Sequence, residues 1–434
     1  MKKCFLTGLL LSTTSFLFSQ NIDSLINSKE VERIERTLSS DDMRGRRTFT
    51  PDIDRAADFI AAEFNSIGLQ KWNGNGNYRQ EFTLVRPKFI KVSAKFDGDS
   101  FDPKNILVIT CQPDLRIDQK SGYEVAYIKA GANLRKEASG FVLSNKNLLV
   151  LVDENYANDF QRLNFLRRSI FKTDKNVVFV LNSSVPKKFV IEAIHEISEQ
   201  KLANVVGIIP GKSLPTGQAG KKDEYVVFSG HYDHLGVGKP VDGDSIYNGA
   251  NDDAAGITAV IMLAKYFKAL NNNERTIVFV AFTAEEIGGF GSQYFSRQVD
   301  PDKVMAMFNI EMIGTESKWG KNSAYITGFD KTDMGQILQK NLEGTDFTFY
   351  PDPYPAQQLF YRSDNATLAK LGVPAHTIST SKMDSEPNYH KVSDEIETLD
   401  MDNMAMIIKA IALSSRTIVE GKETPTRVKV DELR

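Results

Sequence analysis

Two periodicities organise this chain. In SLINSKEVERIERTL and DIDRAADFIAAEFNSIGL apolar side chains recur every three or four positions, which predicts two amphipathic helices within residues 25–70. The second pattern stops at Gly68, a helix-ending residue, and the intervening SSDDMRGRRTFTP is polar and turn-rich. From Asn204 onward, short runs rich in β-branched residues alternate with longer helical patterns. Strands are expected at VVGIIP, EYVVFSG, TIVFVAFT, MAMFNIEMI, AYITG and AHTIST. Helices are expected at 256–270, 289–297, 333–342, 365–371 and 401–419. Such alternation predicts an α/β fold whose mixed, largely parallel sheet is flanked by helices.

Residues 85–203 read as a separate, smaller α/β or β-rich module inserted into that fold. FIKVSAKF, NILVIT, EVAYI, NLLVLV and NVVFVL are short apolar runs between polar turns, and helical spacing reappears at 160–171 and 187–200. The lone His195 falls in the second helical pattern, IEAIHEISEQ, and is expected to be a surface or core residue. The expected organisation is a leader at 1–19, an N-terminal part of the main domain at 20–84, the insertion at 85–203, the core at 204–420 and a polar tail at 421–434. KSLPTGQAGKKDE has the composition of a surface loop.

Composition narrows the function classes. A hydrophobic fraction of 41% with 25% charged residues is that of a globular protein, and a net charge of −3 offers no electrostatic basis for binding nucleic acid or an anionic membrane. Lys2 and Lys3 precede an apolar run ending at Phe18, with small Ser19 beyond it, as in an export leader. Thr7, Ser12, Thr13, Thr14 and Ser15 dilute the run, which favours removal over stable membrane insertion. The expected destination is secreted or periplasmic. Only Cys4 and Cys111 are present, so the processed chain could form no internal disulfide.

The chemistry lies in five short segments: SGHYDHLG, NGANDDAAG, FTAEEIGG, FNIEMIG and NYHKVSDE. Their His231, Asp252, Glu286, Glu311 and His390 can be assembled into one metal site. His231 ends an apolar strand, where α/β folds place their sites. Asp233, two residues on, faces the same way on an extended backbone and can accept the second ring N–H of His231. His234 is expected to face elsewhere, which makes it the poorer ligand candidate of the two histidines. Asp252 precedes a helix whose dipole favours an ionised carboxylate, with Asp253 as N-cap. Glu285 and Glu286 are adjacent and point apart on extended backbone, so Glu286 can bind metal while Glu285 acts as general base. Glu311 falls inside an apolar strand, costly unless it coordinates a metal or is paired. Three carboxylates and two imidazoles without thiolate suit two zinc ions, with cobalt or manganese as alternatives. Such ions would sharpen a water for attack on a polarised carbonyl.

These motifs resemble those of the M28 family of metallopeptidases, which includes secreted bacterial aminopeptidases. HYD, GANDDAAG, TAEEIG, NIEMIG and the YH pair fall in the family's order, and SSDDMRGRRTFTPDIDRAADFIAAEF and NVVGIIPG are also similar. The resemblance implies that Asp252 bridges two zinc ions, with His231 and Glu311 on one and Glu286 and His390 on the other. It makes Glu285 the acid/base, Asp233 an orienting residue and Tyr389 an oxyanion-stabilising one. FYRSDNATLAKLGVPA resembles the substrate-side loop and offers Arg362 as a substrate contact. Three departures stand out: Glu311 where better-known members carry aspartate, Asn365 where histidine is common, and only a faint likeness of 85–203 to a protease-associated domain. The expected activity is release of N-terminal residues from peptides. Carboxypeptidase or aminoacyl hydrolase action on the same site, glutaminyl cyclisation with one zinc, and a metal-free binding module are the alternatives. The oligomeric state is left open.

Overall fold

A computed structural model describes residues 22–74, 76–212 and 220–433. The expected leader and most of the KSLPTGQAGKKDE loop lie outside the described residues. The chain forms two compact units, one comprising residues up to Glu81 together with Ala203 onwards, the other Phe82–Leu202.

The larger unit is built on a sheet of seven principal strands: β1 (Phe189–Ile209, through its C-terminal part), β2 (Tyr225–His231), β3 (Thr276–Phe282), β4 (Val304–Ile310), β5 (Ser323–Ile326), β6 (Thr348–Pro351) and β7 (Ala375–Ser379). Their order is β6-β5-β7-β4-β2-β3-β1. The central four, β7-β4-β2-β3, are parallel, with antiparallel pairings of β5 on β7 and β1 on β3 to either side. The sheet is therefore mixed and largely parallel, as the alternation of elements predicts.

The continuous apolar runs of the central strands follow from cover on both faces. Ile277, Phe279 and Ala281 join one core cluster while Val278, Val280 and Phe282 join the other. On the first face lie α1 (Ser28–Leu38), α2 (Pro51–Ile67), α3 (Ala255–Leu270), and residues of two helices that follow later in the chain. On the second lie Phe295 and Leu368, from short helices at Phe290–Ser296 (α4) and Asn365–Ala369 (α6). The later first-face helices are α5 (Met334–Lys340) and α7 (Met401–Ser414). Each buried Val, Leu or Phe contributes roughly 1.5–3 kcal/mol. Gly68 ends α2 in a left-handed conformation, as expected. The pattern expected to run as one helix to 419 instead breaks at Ser415.

The smaller unit carries a four-stranded sheet in the order Ile106–Ile109, Val177–Leu181, Leu148–Val152, Glu124–Ile128, with a helix at Leu134–Leu143. Its fully buried Val150 and Phe179 lie in a cluster with Leu107, Ile128 and Ala138. The helix expected at 187–200 is instead the first half of β1. Phe189, Ile191, Ala193 and His195 alternate inward, a period of two that the three- and four-residue spacing of the same apolar positions had obscured. His195 is thus a buried strand residue.

Candidate metal centre

Every segment of the site follows the carboxyl end of a parallel strand or a loop held against one. His231 is the last residue of β2, and the turn 250–254 leads from Gly249 into α3. Glu285 and Glu286 follow β3, and Glu311 follows β4. The sequence reading placed Glu311 within its strand; the strand ends at Ile310, because Met312 is left-handed (φ 54°) and turns the chain away. A carboxylate at the strand end reaches the cleft instead of an apolar face.

The structure brings His231, Asp252, Glu286, Glu311 and His390 together. Asp252 is central. Its Oδ1 stands 3.1 Å from His231 Nε2 and its Oδ2 3.2 Å from His390 Nε2, and His390 Nε2 is also 3.2 Å from Glu286 Oε2. His231, Asp252 and Glu311 each present a ligand atom within 4.8 Å of the others, and so do His234, Asp252 and Glu286. The expectation that His234 faces elsewhere is therefore overturned. The chain bends after His231, so neighbouring residues no longer alternate sides, and His234 Nδ1 reaches 2.9 Å from Glu286 Oε1.

Asp233 also departs from its expected role. The His231 Nδ1 lies 3.0 Å from the Asp233 backbone carbonyl, with the carboxylate 3.9 Å away. The Asp233 carboxylate instead accepts the backbone N–H groups of Glu285 and Glu286, at 3.0 and 3.3 Å. The two glutamates therefore sit in a pinned turn rather than on extended backbone, entered through left-handed Ala284 (φ 61°). Asp233 orients the acids directly and His231 through its carbonyl. Asp253 caps the start of α3 by accepting from Gly256 at 3.0 Å, and it also accepts from His231 and Met312, each at 3.1 Å.

Electrostatically the site demands positive charge. Burial opposes ionisation of Asp252, yet its contacts with His231 and His390 overcome this and hold the carboxyl well below its ordinary range. For His390, burial disfavours the cation, but Asp252 and Glu286 push it up to about 10. Burial pushes Glu285 well above the carboxylate range, and Glu311, Asp364 and Glu286 add to the effect against His231. Such a group holds or takes a proton readily.

The donor set fits zinc. His231 Nε2, His234 Nδ1 and Glu286 Oε1 are buried and have no hydrogen-bond partner, although each stands about 3 Å from another donor atom. Two ligands on one zinc, at bond lengths of about 2.0–2.1 Å, stand roughly 2.9–3.4 Å apart. The observed 2.9–3.2 Å spacings meet that requirement.

A cleft of about 130 Å³ opens on the site, lined by Glu285, Met312, Leu359, Met383, Tyr389 and Arg362 among others. The Tyr389 ring stacks on His390 at 3.9 Å, and burial raises its phenol, which stays a neutral O–H donor. Arg362 is exposed at the cleft and donates to Gln357 at 3.1 Å. Asn365 is buried, donating to the carbonyls of Phe360 and Ala375, so it is a structural residue.

Two residues escaped the sequence reading. Asp394 accepts the backbone N–H of Asn251 at 2.8 Å and of Asp252 at 3.0 Å, fixing the turn. Arg46 is fully buried and donates to the carbonyls of Leu38, Tyr232, Asn248 and Gly249 at 2.6–2.9 Å. Asp394 could have been suspected, since it follows His390 in NYHKVSDE. Arg46 lies in a polar turn whose composition gives no sign of burial.

Fold and donor set together define a zinc-dependent peptidase. Residues 204–414, the core that carries the site, match Peptidase family M28. A probable leucine aminopeptidase of Trichophyton verrucosum is 26% identical over 299 residues, 64% of this chain and 77% of its own. Aminopeptidase YwaD of Bacillus subtilis is 22% identical over 92% of this chain and 76% of its own. Among solved structures, an aminopeptidase from Aneurinibacillus sp. strain AM-1 shares the fold, with a TM-score of 0.54, 15% identity, and coverage of 95% of this chain and 98% of that one. Among the described residues no helix is long and apolar enough to cross a membrane.

Proposed function

We propose that this chain is an exported di-zinc aminopeptidase that removes N-terminal residues from peptides. The observation that carries the reading is the position of Asp252 between two sets of donors, His231 with Glu311 and His390 with Glu286. When bound, zinc supplies Lewis acidity toward the scissile carbonyl and toward water.

The chain's own residues do the rest. Glu285, raised by burial, takes a proton from the attacking water and returns it to the leaving amine. Asp233 keeps Glu285 in place by binding its backbone N–H. Tyr389 presents a phenol O–H to the cleft and can stabilise the negative oxygen of the tetrahedral stage. Arg362 at the cleft meets substrate. The smaller unit, Phe82–Leu202, is taken as an inserted accessory module.

Carboxypeptidase action has one supporting observation: the Arg362 guanidinium lines the cleft and would suit a substrate carboxylate. Aminoacyl nitroanilides assayed against N-blocked dipeptides separate the two. Turnover of the nitroanilides is expected; cleavage confined to the blocked dipeptides would replace the aminopeptidase reading.

A further inference from the structure

We infer that His234 is a fourth protein donor to the ion on the Glu286 side, so that the two sites hold metal unequally. The inference rests on the two-zinc reading and adds an asymmetry to it. His234 is almost wholly buried, and neither ring nitrogen has a hydrogen-bond partner. A buried imidazole in that state loses its hydration without compensation. Its Nδ1 lies 2.9 Å from Glu286 Oε1 and 3.9 Å from Asp252 Oδ2. Glu286 Oε1 has no other partner, and 2.9 Å is the separation of two donors on one ion. Two unpartnered atoms facing each other across 2.9 Å are accounted for by a cation bound to both.

The ring is also held in place. Its backbone N–H is 3.3 Å from the carbonyl of buried Arg46, and the face of Gly249 leaves room for no side chain between the ring and the Asp252 turn. The His234 and His390 ring centroids are 5.8 Å apart at 68°. Two imidazoles on one zinc stand roughly 5–6 Å apart, centre to centre. The Glu286 side thus offers His234, Asp252 and Glu286, each with a ligand atom within 4.8 Å of the others, and His390, 3.2 Å from both Asp252 and Glu286. The Glu311 side gathers His231, Asp252 and Glu311. Four protein donors close a tetrahedral site and three leave a position open. The Glu286 side therefore fills first and releases its ion last, and the open position belongs to the Glu311 side.

The test is X-ray absorption at the zinc edge on full-length protein, metal-stripped and reloaded with one and then two equivalents. Wild type is expected to show two imidazoles on the first zinc, and the His234→Ala variant one. The first binding constant should weaken at least tenfold while the second changes little. His234→Gln, which keeps a donor amide and similar bulk, should behave like His234→Ala and serves if the alanine variant does not fold. A single imidazole on the first zinc of wild type, or spectra unchanged in both variants, would overturn the inference while leaving two zinc ions intact. Uptake of fewer than two ions by wild type would instead remove the two-zinc reading itself.

Discussion

At the scale of the residue, function here depends on acids kept apart in protonation although they are neighbours. Asp252 is held ionised by imidazoles, while burial and like charges raise the proton affinity of Glu285, a short way off. On the proposed mechanism that contrast suits Asp252 to metal binding and Glu285 to proton transfer. Glu285→Gln should lower kcat about 10²–10⁴-fold with zinc content unchanged, as measured by steady-state kinetics beside metal analysis. A residue remote from the chemistry gives a pH effect. His376 is buried on β7 between the Thr327 carbonyl and the Thr332 hydroxyl, each 2.8 Å from a ring nitrogen, and burial pushes it down to about 4. Its neutral form is favoured in the fold, so the unfolded chain binds the extra proton. The contribution is complete above an ordinary value of 6.5 and is lost as pH falls toward 4. Between pH 7 and 5, urea unfolding of wild type should lose about 2 kcal/mol more than that of His376→Gln.

At the scale of the element, the site is an arrangement of strand ends and turns. Three left-handed residues, Ala284, Met312 and His390, adjoin or belong to it, each a conformation that costs roughly 1–2 kcal/mol without glycine. Such turns aim side chains that regular strands would alternate, which is why the extended-backbone arguments for Asp233, His234 and the glutamate pair failed. Gly256 shows how closely α3 approaches β4: a Cβ there would overlap the Ile310 carbonyl and the Asp253 carboxylate. Gly256→Ala should therefore displace the β4 end that carries Glu311, destabilising the fold by about 1–3 kcal/mol and weakening metal binding, as calorimetry can read. Arg46 binds four carbonyls, one at the end of α1 and three from two loops around the site. Replacement by Met leaves them unsatisfied and should cost about 3–5 kcal/mol in chemical denaturation.

At the scale of the whole molecule, zinc acts as a fold ligand as well as a reagent. The carboxylates gathered at Asp252 repel one another unless cations are present, so bound metal favours the native state by mass action. Adding zinc to 100 times Kd should stabilise the protein by about 2.7 kcal/mol for each occupied site, and chelation should reverse the gain in thermal midpoint.

The apolar runs by themselves determined the alternation of strands and helices, hence a mixed sheet covered on two faces, because burial on both sides imposes a pattern that local residues must carry. The motifs by themselves marked His231, Asp252, Glu286, Glu311 and His390, because polar residues at the ends of apolar strands stand out against their neighbours. Tertiary structure alone decided that His234 joins them, that Asp233 pins the glutamate turn, that Arg46 is buried and that 189–209 is a strand. Each of these depends on a bend in the backbone or on a partner far along the chain, and neither leaves a periodic trace in sequence.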